Sequence, residues 1–172
     1  MKWFWLGLVV LFAGCTAVPE GLQPVGGFDS GRYLGRWYEI ARLDHRFERG
    51  LTNVTADYRR LDDGRIEVIN RGFDVQKKTW SEVRGVARFQ GPQDIASLEV
   101  SFFGPFYGGY HVLVLDPDYR HALVAGPNRD YLWILAREPQ LDQATLDHLI
   151  AQARAWGFAT GNLILVDHQP RS

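Results

Sequence analysis

The sequence predicts an all-β fold: an eight-stranded antiparallel up-and-down β-barrel with one C-terminal α-helix packed outside it. Three observations lead there. Eight runs rich in β-branched and aromatic residues recur between positions 37 and 137, each closed by Gly, Pro, Asn or Asp. The links between them are too short for parallel crossovers, which favours a meander. One amphipathic segment follows, and a single helix cannot cover both faces of eight strands. Closing the sheet on itself removes its exposed edges. A barrel of that size is just wide enough inside to hold one small ligand.

The elements follow in order. Residues 1–14 read as a signal peptide, with Lys2 ahead of 11 apolar or Gly residues from Trp3 to Ala13. That run is short of the roughly 20 residues a membrane-spanning helix needs. Residues 15–27, holding Pro19, Pro24 and three glycines, read as a tether, and residues 28–172 as the barrel domain. The first strand covers 37–42, followed by a loop over 43–51. The next two, 53–60 and 65–71, flank the turn Asp62-Asp63-Gly64. Strand 79–89 stops at Gly91-Pro92, 97–103 at Gly104-Pro105, and 110–115 at Asp116-Pro117-Asp118. Strand 119–125 stops at Gly126-Pro127, and 131–137 closes the series. Asp142 is a good N-cap for a helix whose Leu146, Leu149, Ile150 and Ala153 form one apolar stripe ending near Gly157. A short strand-like piece, 162–166, comes last.

Composition excludes several classes. Nineteen Lys+Arg stand against 20 Asp+Glu, which leaves no electrostatic footprint for nucleic acid. A single cysteine, Cys15, makes no internal disulfide and no multi-cysteine zinc site. The histidines, His45, His111, His121, His148 and His168, have no tight metal-ligand spacing, so no metal is expected. There is no Gly-x-Ser-x-Gly elbow and no phosphate-binding loop. Asp62 and Asp63 are turn residues rather than a catalytic pair.

Two sets of motifs carry resemblances. The run Leu11-Phe12-Ala13-Gly14-Cys15 resembles the lipobox of bacterial lipoproteins, with Phe12 where leucine is usual. The resemblance implies cleavage before Cys15 and acylation of that residue with diacylglycerol and palmitate. Thr16 in the next position implies sorting to the outer membrane of a Gram-negative cell. Further along, Gly35-Arg36-Trp37-Tyr38 opens the first strand, Asp118-Tyr119-Arg120 lies between two later strands, and Arg137 ends the last. In this order and on these strands they resemble the three signature regions of the lipocalins. The stretches 33–50, 100–110 and 119–138 are most similar to the bacterial outer-membrane lipoprotein lipocalins, an apolipoprotein D-like group. The resemblance implies a lipid-binding barrel, no cofactor and no catalytic residue. It also implies a structural base formed by Gly35, Trp37 and Arg137, with the arginine packed across the indole. A cysteine-dependent isomerase of the kind known among lipocalins is disfavoured, because acylation consumes the thiol.

Strand alternation then yields the lining. If Arg137 points inward, so do Leu135, Trp133 and Tyr131; if Trp37 does, so do Glu39 and Ala41. Ile66, Val68 and Asn70 form the more apolar face of their strand. Val83, Gly85, Ala87 and Phe89 form the next wall, where Gly85 and Ala87 leave volume for a guest, and Leu98, Val100 and Phe102 continue it. The strand 110–115 is apolar on both faces and has no readable parity. Candidate ligand contacts are Trp133, Tyr131, Tyr107, Asn70, Glu39, Phe89 and Phe102. Glu39 and Asn70 stand out as polar groups in an apolar cavity, where an unpaired carboxylate is costly. They serve either as a water-bonded pair that fixes the fold or as a pair that meets the polar end of an amphiphile. The glycine-rich loop from Phe103 to Tyr110 carries four aromatics. Tyr107 would form a lip over the mouth, and Phe106 would equally pack against a second barrel in a homodimer. The run Asp44 to Arg49 reads as a solvated loop near the mouth, with Arg46 or Arg49 placed to meet a lipid phosphate.

These readings converge on a membrane-anchored carrier that stores or transports fatty acids or lysophospholipids, in envelope maintenance or stress. Three other functions fit the sequence. A haem carrier would need His111 or His121 to point inward. A lipid-acting enzyme would use Glu39 as general base. A structural envelope lipoprotein would have a filled barrel and dock a partner through the aromatic loop.

Overall fold

The structure is a computed structural model that describes residues 15–171; the expected signal peptide, residues 1–14, lies outside the described residues. Eight strands form the wall: β1 (Gly35–Arg42), β2 (Leu51–Arg60), β3 (Ile66–Asp74), β4 (Thr79–Phe89), β5 (Ser97–Phe103), β6 (Phe106–Leu115), β7 (His121–Ala125) and β8 (Leu132–Ala136). Each pairs antiparallel with its neighbour in sequence, and β1 also pairs with β8, so the sheet closes as an up-and-down barrel. A short helix, α1 (Ser30–Tyr33), precedes β1 and is capped by Asp29, whose Oδ1 accepts from Gly31 N at 2.8 Å. Helix α2 (Gln143–Ala155) begins at Asp142, whose Oδ1 accepts from Thr145 N at 2.9 Å, and Gly157 follows it at φ +84°. A two-residue strand, β9 (Ile164–Leu165), pairs with Ala41 and Arg42 at the end of β1, on the edge where β2 has already turned away. No helix among the described residues is long and apolar enough to cross a membrane.

The wall separates two cores. Outside it, Leu146, Leu149 and Ala153 of α2 pack on Leu113, Leu123, Leu132 and Ile134. Inside, Phe28, Tyr33, Trp37, Ile66, Val68, Leu98, Val112 and Leu135 fill the closed end. All these residues lie well inside the described segment, so the chain from Cys15 onward contains everything that closes the barrel.

At the closed end Arg137 lies over Trp37, its guanidinium carbon 4.0 Å from the ring centroid. It donates to the carbonyls of Tyr119, Leu34, Arg36 and Arg32 at 2.8–3.2 Å. The Trp37 indole donates to Tyr33 O at 2.8 Å. Gly35 sits at φ +92°, and a Cβ there would lie 3.5 Å from Arg137 Nη1, so a glycine suits both the backbone and the arginine. Gly35, Trp37 and Arg137 thus meet at the closed end.

Four expectations need correction. The tether is a strap laid along the outer wall. Val25 N donates to Val112 O, Ala96 N to Val25 O and Phe28 N to Asp94 O, each at 2.9 Å. Its prolines and its positive-φ residues Gly21 and Gly27 serve turns rather than flexibility. Likewise, the glycine-rich loop is a tight turn at Gly104-Pro105, with β6 starting at Phe106. Gly109 is glycine because a Cβ would stand 2.7 Å from His111 Nε2 and 3.0 Å from Thr16 O, where the strap crosses. Ala41 faces the outer core, because the pairing of β1 with β8 shifts register between Glu39 and Ala41; Arg42 turns inward instead. Finally, the space left by Gly85 is taken by Phe102, whose ring would meet a Cβ at 2.7 Å.

Candidate functional site

The open end of the barrel leads into a cavity of about 640 Å³. That is within the range of sites that hold one small molecule, roughly 300–1,000 Å³. Its floor is a layer of tyrosines above the Trp37–Arg137 plug. Tyr110 Oη shares hydrogen bonds with Tyr33 Oη at 2.7 Å and Tyr58 Oη at 2.9 Å. Burial, above all, pushes all three phenols above their ordinary pKa, so they stay neutral and supply hydroxyls rather than charge. Above the floor the wall is apolar, with Val54, Val68, Val83, Val100, Phe102 and Leu135.

One side of the wall is polar, and sequence parity alone does not find it. Glu39 is buried and accepts from Arg42 Nη1 at 2.8 Å. Arg42, equally buried, also donates to the carbonyls of Glu48 and Leu51 at 2.9 and 3.1 Å. The loop between β1 and β2 folds back over the mouth. His45 Nε2 lies 2.8 Å from Glu48 Oε2, and Trp133 Nε1 donates to the same oxygen at 3.0 Å. Burial and the nearby Glu48 carboxylate hold the Glu39 pKa well above the usual carboxylate value. Burial pushes Glu48 upward as well, but the bond and charge from His45, with Trp133 and Arg42, outweigh it and leave that pKa lowered. Arg42, Glu39, Glu48 and His45 thus form one buried network in which burial works against charge on Glu39 while His45 favours it on Glu48.

The expected contacts divide. Trp133, Tyr131, Asn70, Glu39 and Phe102 line the cavity, and Tyr131 stacks on Trp133 with centroids 6.3 Å apart. Phe89 does not line it; its position is one turn of the pleat too deep, and its ring packs on Phe28 at the closed end. Tyr107 reaches the rim but is no lip. Its ring is held under Arg88, 4.2 Å from the guanidinium carbon, on the outer face set by β6 alternation. Glu39 pairs with Arg42, not with Asn70, because the β1 register shift brings Arg42 inward. The stretch from Asp44 to Arg49 is not simply solvated, since His45 and Glu48 turn into the cavity. The residues missed were thus Arg42, His45 and Glu48. Their only sequence signal was an unusual density of charge directly after a strand.

Both histidines proposed for haem lie outside the cavity. His111 is buried beneath the strap, bonded through Nε2 to Ala17 O at 2.8 Å and through Nδ1 to Ser97 Oγ at 3.0 Å. His121 is on β7 next to Ala122, an inward residue, and so points outward.

The rim has its own character. Phe47, Phe103 and Phe106 are 60%, 67% and 77% exposed there. Arg46 lines the opening, stacked over Phe47 at 4.8 Å, while Arg71, next to the inward Asn70, turns to the outer face and stacks over Trp80 at 4.3 Å. Neither is in a salt bridge among the described residues, whereas Arg49 is paired with Asp44 at 2.9 Å. Cys15 is exposed at the same rim, its carbonyl accepting from Gly109 N at 2.9 Å.

Comparison with known proteins agrees with this geometry. A lipocalin-like domain model matches residues 28–168. The chain is 53% identical over 164 residues to outer membrane lipoprotein Blc of Escherichia coli K12, covering 95% of this chain and 92% of that one. It is 49% identical over 161 residues to outer membrane lipoprotein Blc of Vibrio cholerae, covering 93% and 94%. Apolipoprotein D of Mus musculus is 35% identical over 130 residues, covering 71% and 67%. Among solved structures, insecticyanin from the tobacco hornworm Manduca sexta superposes with a TM-score of 0.70 at 18% identity, covering 90% and 88%.

Proposed function

Since this chain belongs to the lipocalin family, we propose that it is a carrier, not an enzyme, which holds one single-chain amphiphile, a fatty acid or a lysophospholipid, in its barrel. The observation that carries the reading is the 640 Å³ apolar cavity, with Arg46 at its mouth and in no salt bridge among the described residues. An acyl chain entering it leaves water at about 0.8 kcal/mol per CH₂, so twelve buried methylenes give roughly 10 kcal/mol before the entropy of binding is subtracted. The carboxylate or phosphate stays at the rim, facing Arg46. The lipobox-like run ending at Cys15 and the kinship with outer membrane lipoproteins support acylation at Cys15 and a place at the outer membrane of a Gram-negative cell, with a role in storing or moving lipids during envelope maintenance or stress.

The other readings lose their footing on specific residues. Haem ligation has no inward His111 or His121 to use. A general base at Glu39 is tied to Arg42. A docking protein with a filled barrel does not match the open cavity.

The test is a titration of the delipidated protein with a lysophospholipid and with its matching fatty acid, followed by tryptophan fluorescence. Saturable one-to-one quenching is expected. Trp133→Ala removes a cavity wall and the donor to Glu48, and is expected to weaken both lipids about tenfold and remove most of the quenching. No saturable response to either lipid would overturn the carrier reading.

A further inference from the structure

We propose that the open end of the barrel is itself a docking face for an anionic lipid bilayer, with Phe47, Phe103 and Phe106 entering the membrane interface so that the cavity opens directly onto it. Soluble proteins seldom expose several large aromatics together without a partner. Here the distribution is one-sided. Every exposed large hydrophobic side chain among the described residues, Phe47, Val75, Trp80, Val83, Phe103, Phe106, Ile164 and Leu165, lies in the half of the barrel that carries the mouth. The turns at the closed end carry none.

Charge follows the same axis. The connections between wall strands at the mouth hold Arg46, Arg49, Lys77, Lys78 and Arg129 against Asp44, Glu48 and Asp130, while those at the base hold Asp62, Asp63, Asp94, Asp116 and Asp118 against Arg65 and Arg120. The positive end therefore faces a negatively charged surface, to which each exposed cation adds about 1 kcal/mol of attraction. Aromatic rings flanked by cations are the composition that settles at the headgroup boundary.

The occupant is identified by where the chain leaves the barrel. Cys15 is held at this rim by Gly109, and the strap pins the following residues to the outer wall, with His111 on Ala17 and Gln90 on Thr16. Any group attached at Cys15 is therefore attached at the rim of the mouth. A flexible tether would leave the barrel free to face any direction; a strap fixed at the rim points the mouth at the lipid. The proposal uses the carrier reading only for what passes through the mouth, and the docking itself needs neither a bound lipid nor an acyl group.

The experiment uses the chain from residue 15 onward with Cys15→Ser, mixed with vesicles of phosphatidylglycerol and phosphatidylethanolamine and separated by sedimentation. Pelleting is expected, weaker at high salt and on phosphatidylcholine alone. Phe103→Ser/Phe106→Ser is expected to reduce it at least tenfold, and Phe47→Ser, on a separate connection, to reduce it by a smaller factor. A parent protein that stays in the supernatant, or a double variant that pellets as well as the parent, would overturn the proposal. So would a parent that sediments as a dimer and a double variant that sediments as a monomer with vesicle binding unchanged, since the patch would then belong to a second copy. Lysophospholipid titration in parallel keeps the two readings apart. Uptake without pelleting removes docking alone; pelleting without uptake removes the carrier reading and leaves docking in place.

Discussion

Arg42→Met is expected to lower folding stability by about 3–5 kcal/mol at neutral pH, the cost of removing one partner from a buried ion pair. Arg42 is the one buried cation beside two buried carboxyl groups, Glu39 and Glu48, and it also satisfies two carbonyls of the loop over the mouth. Methionine fills the volume but leaves the carboxyls facing each other. Adding Glu39→Gln to Arg42→Met is expected to restore a large part of the loss, because Glu48 keeps His45 and Trp133. Urea denaturation of the two single variants and the double variant forms the cycle. A loss under about 1 kcal/mol for Arg42→Met would mean that water, not Arg42, stabilises this wall.

The same cluster carries a pH dependence whose sign is set by Glu39. Its folded pKa is raised by burial and by Glu48, so its favourable contribution is complete below the unfolded pKa and is lost as pH climbs through the folded one. Glu48 is shifted the other way; its contribution is present above the unfolded value and disappears as pH falls through the lowered one. Of the two carboxyl groups, Glu39 is the one whose shift acts above the ordinary carboxylate range. Glu39→Gln, which keeps an acceptor for Arg42 without a charge to desolvate, is therefore expected to gain on the parent protein as pH rises from about 5 to about 8. Equal pH slopes in the urea midpoints of the two proteins would contradict the assignment.

Why parity located most of the wall and missed this cluster is a matter of one residue. Strand alternation puts Trp133, Leu135, Val68, Asn70, Val100 and Phe102 on the face that lines the cavity. In β1 the register slips between Glu39 and Ala41, and everything beyond exchanges faces: Ala41 goes to the outer core and Arg42 to the cavity. Nothing in the string Glu-Ile-Ala-Arg marks a bulge, since each residue is acceptable on either face. The strap was hidden for a different reason. Proline and glycine in 16–27 suit a flexible linker and a series of turns equally well, and the choice depends on distant partners such as Val112, Ala96 and His111. His45 and Glu48 were hidden because a loop's charge reads as solvation until its path over the mouth is known. The base was legible because its parts act locally and in order: a glycine, an indole two positions later and an arginine at the end of the last strand.

That base carries the second large effect. Arg137→Ala is expected to cost about 3 kcal/mol of stability, read as a fall in the urea midpoint with an unchanged slope. The arginine's stacking on Trp37 contributes roughly 0.5–2 kcal/mol, and its bonds reach four carbonyls from three separate segments, the α1–β1 turn, β1 itself and the β6–β7 connection. Each is half-open to water, so each is worth less than a buried charged bond, but together they tie three chain segments to one side chain. Arg137→Lys should recover less than half of the loss, because an ammonium has no planar fork to spread over four acceptors or to lie flat on an indole. The position of the arginine, at the closed end below the tyrosine floor, separates this effect from ligand contact. Lipid affinity per folded molecule should therefore fall much less in Arg137→Ala than in Trp133→Ala. An Arg137→Ala protein that is as stable as the parent would mean that the plug is held by packing of Trp37, Tyr33 and Tyr58 alone, with the guanidinium a passenger on the indole.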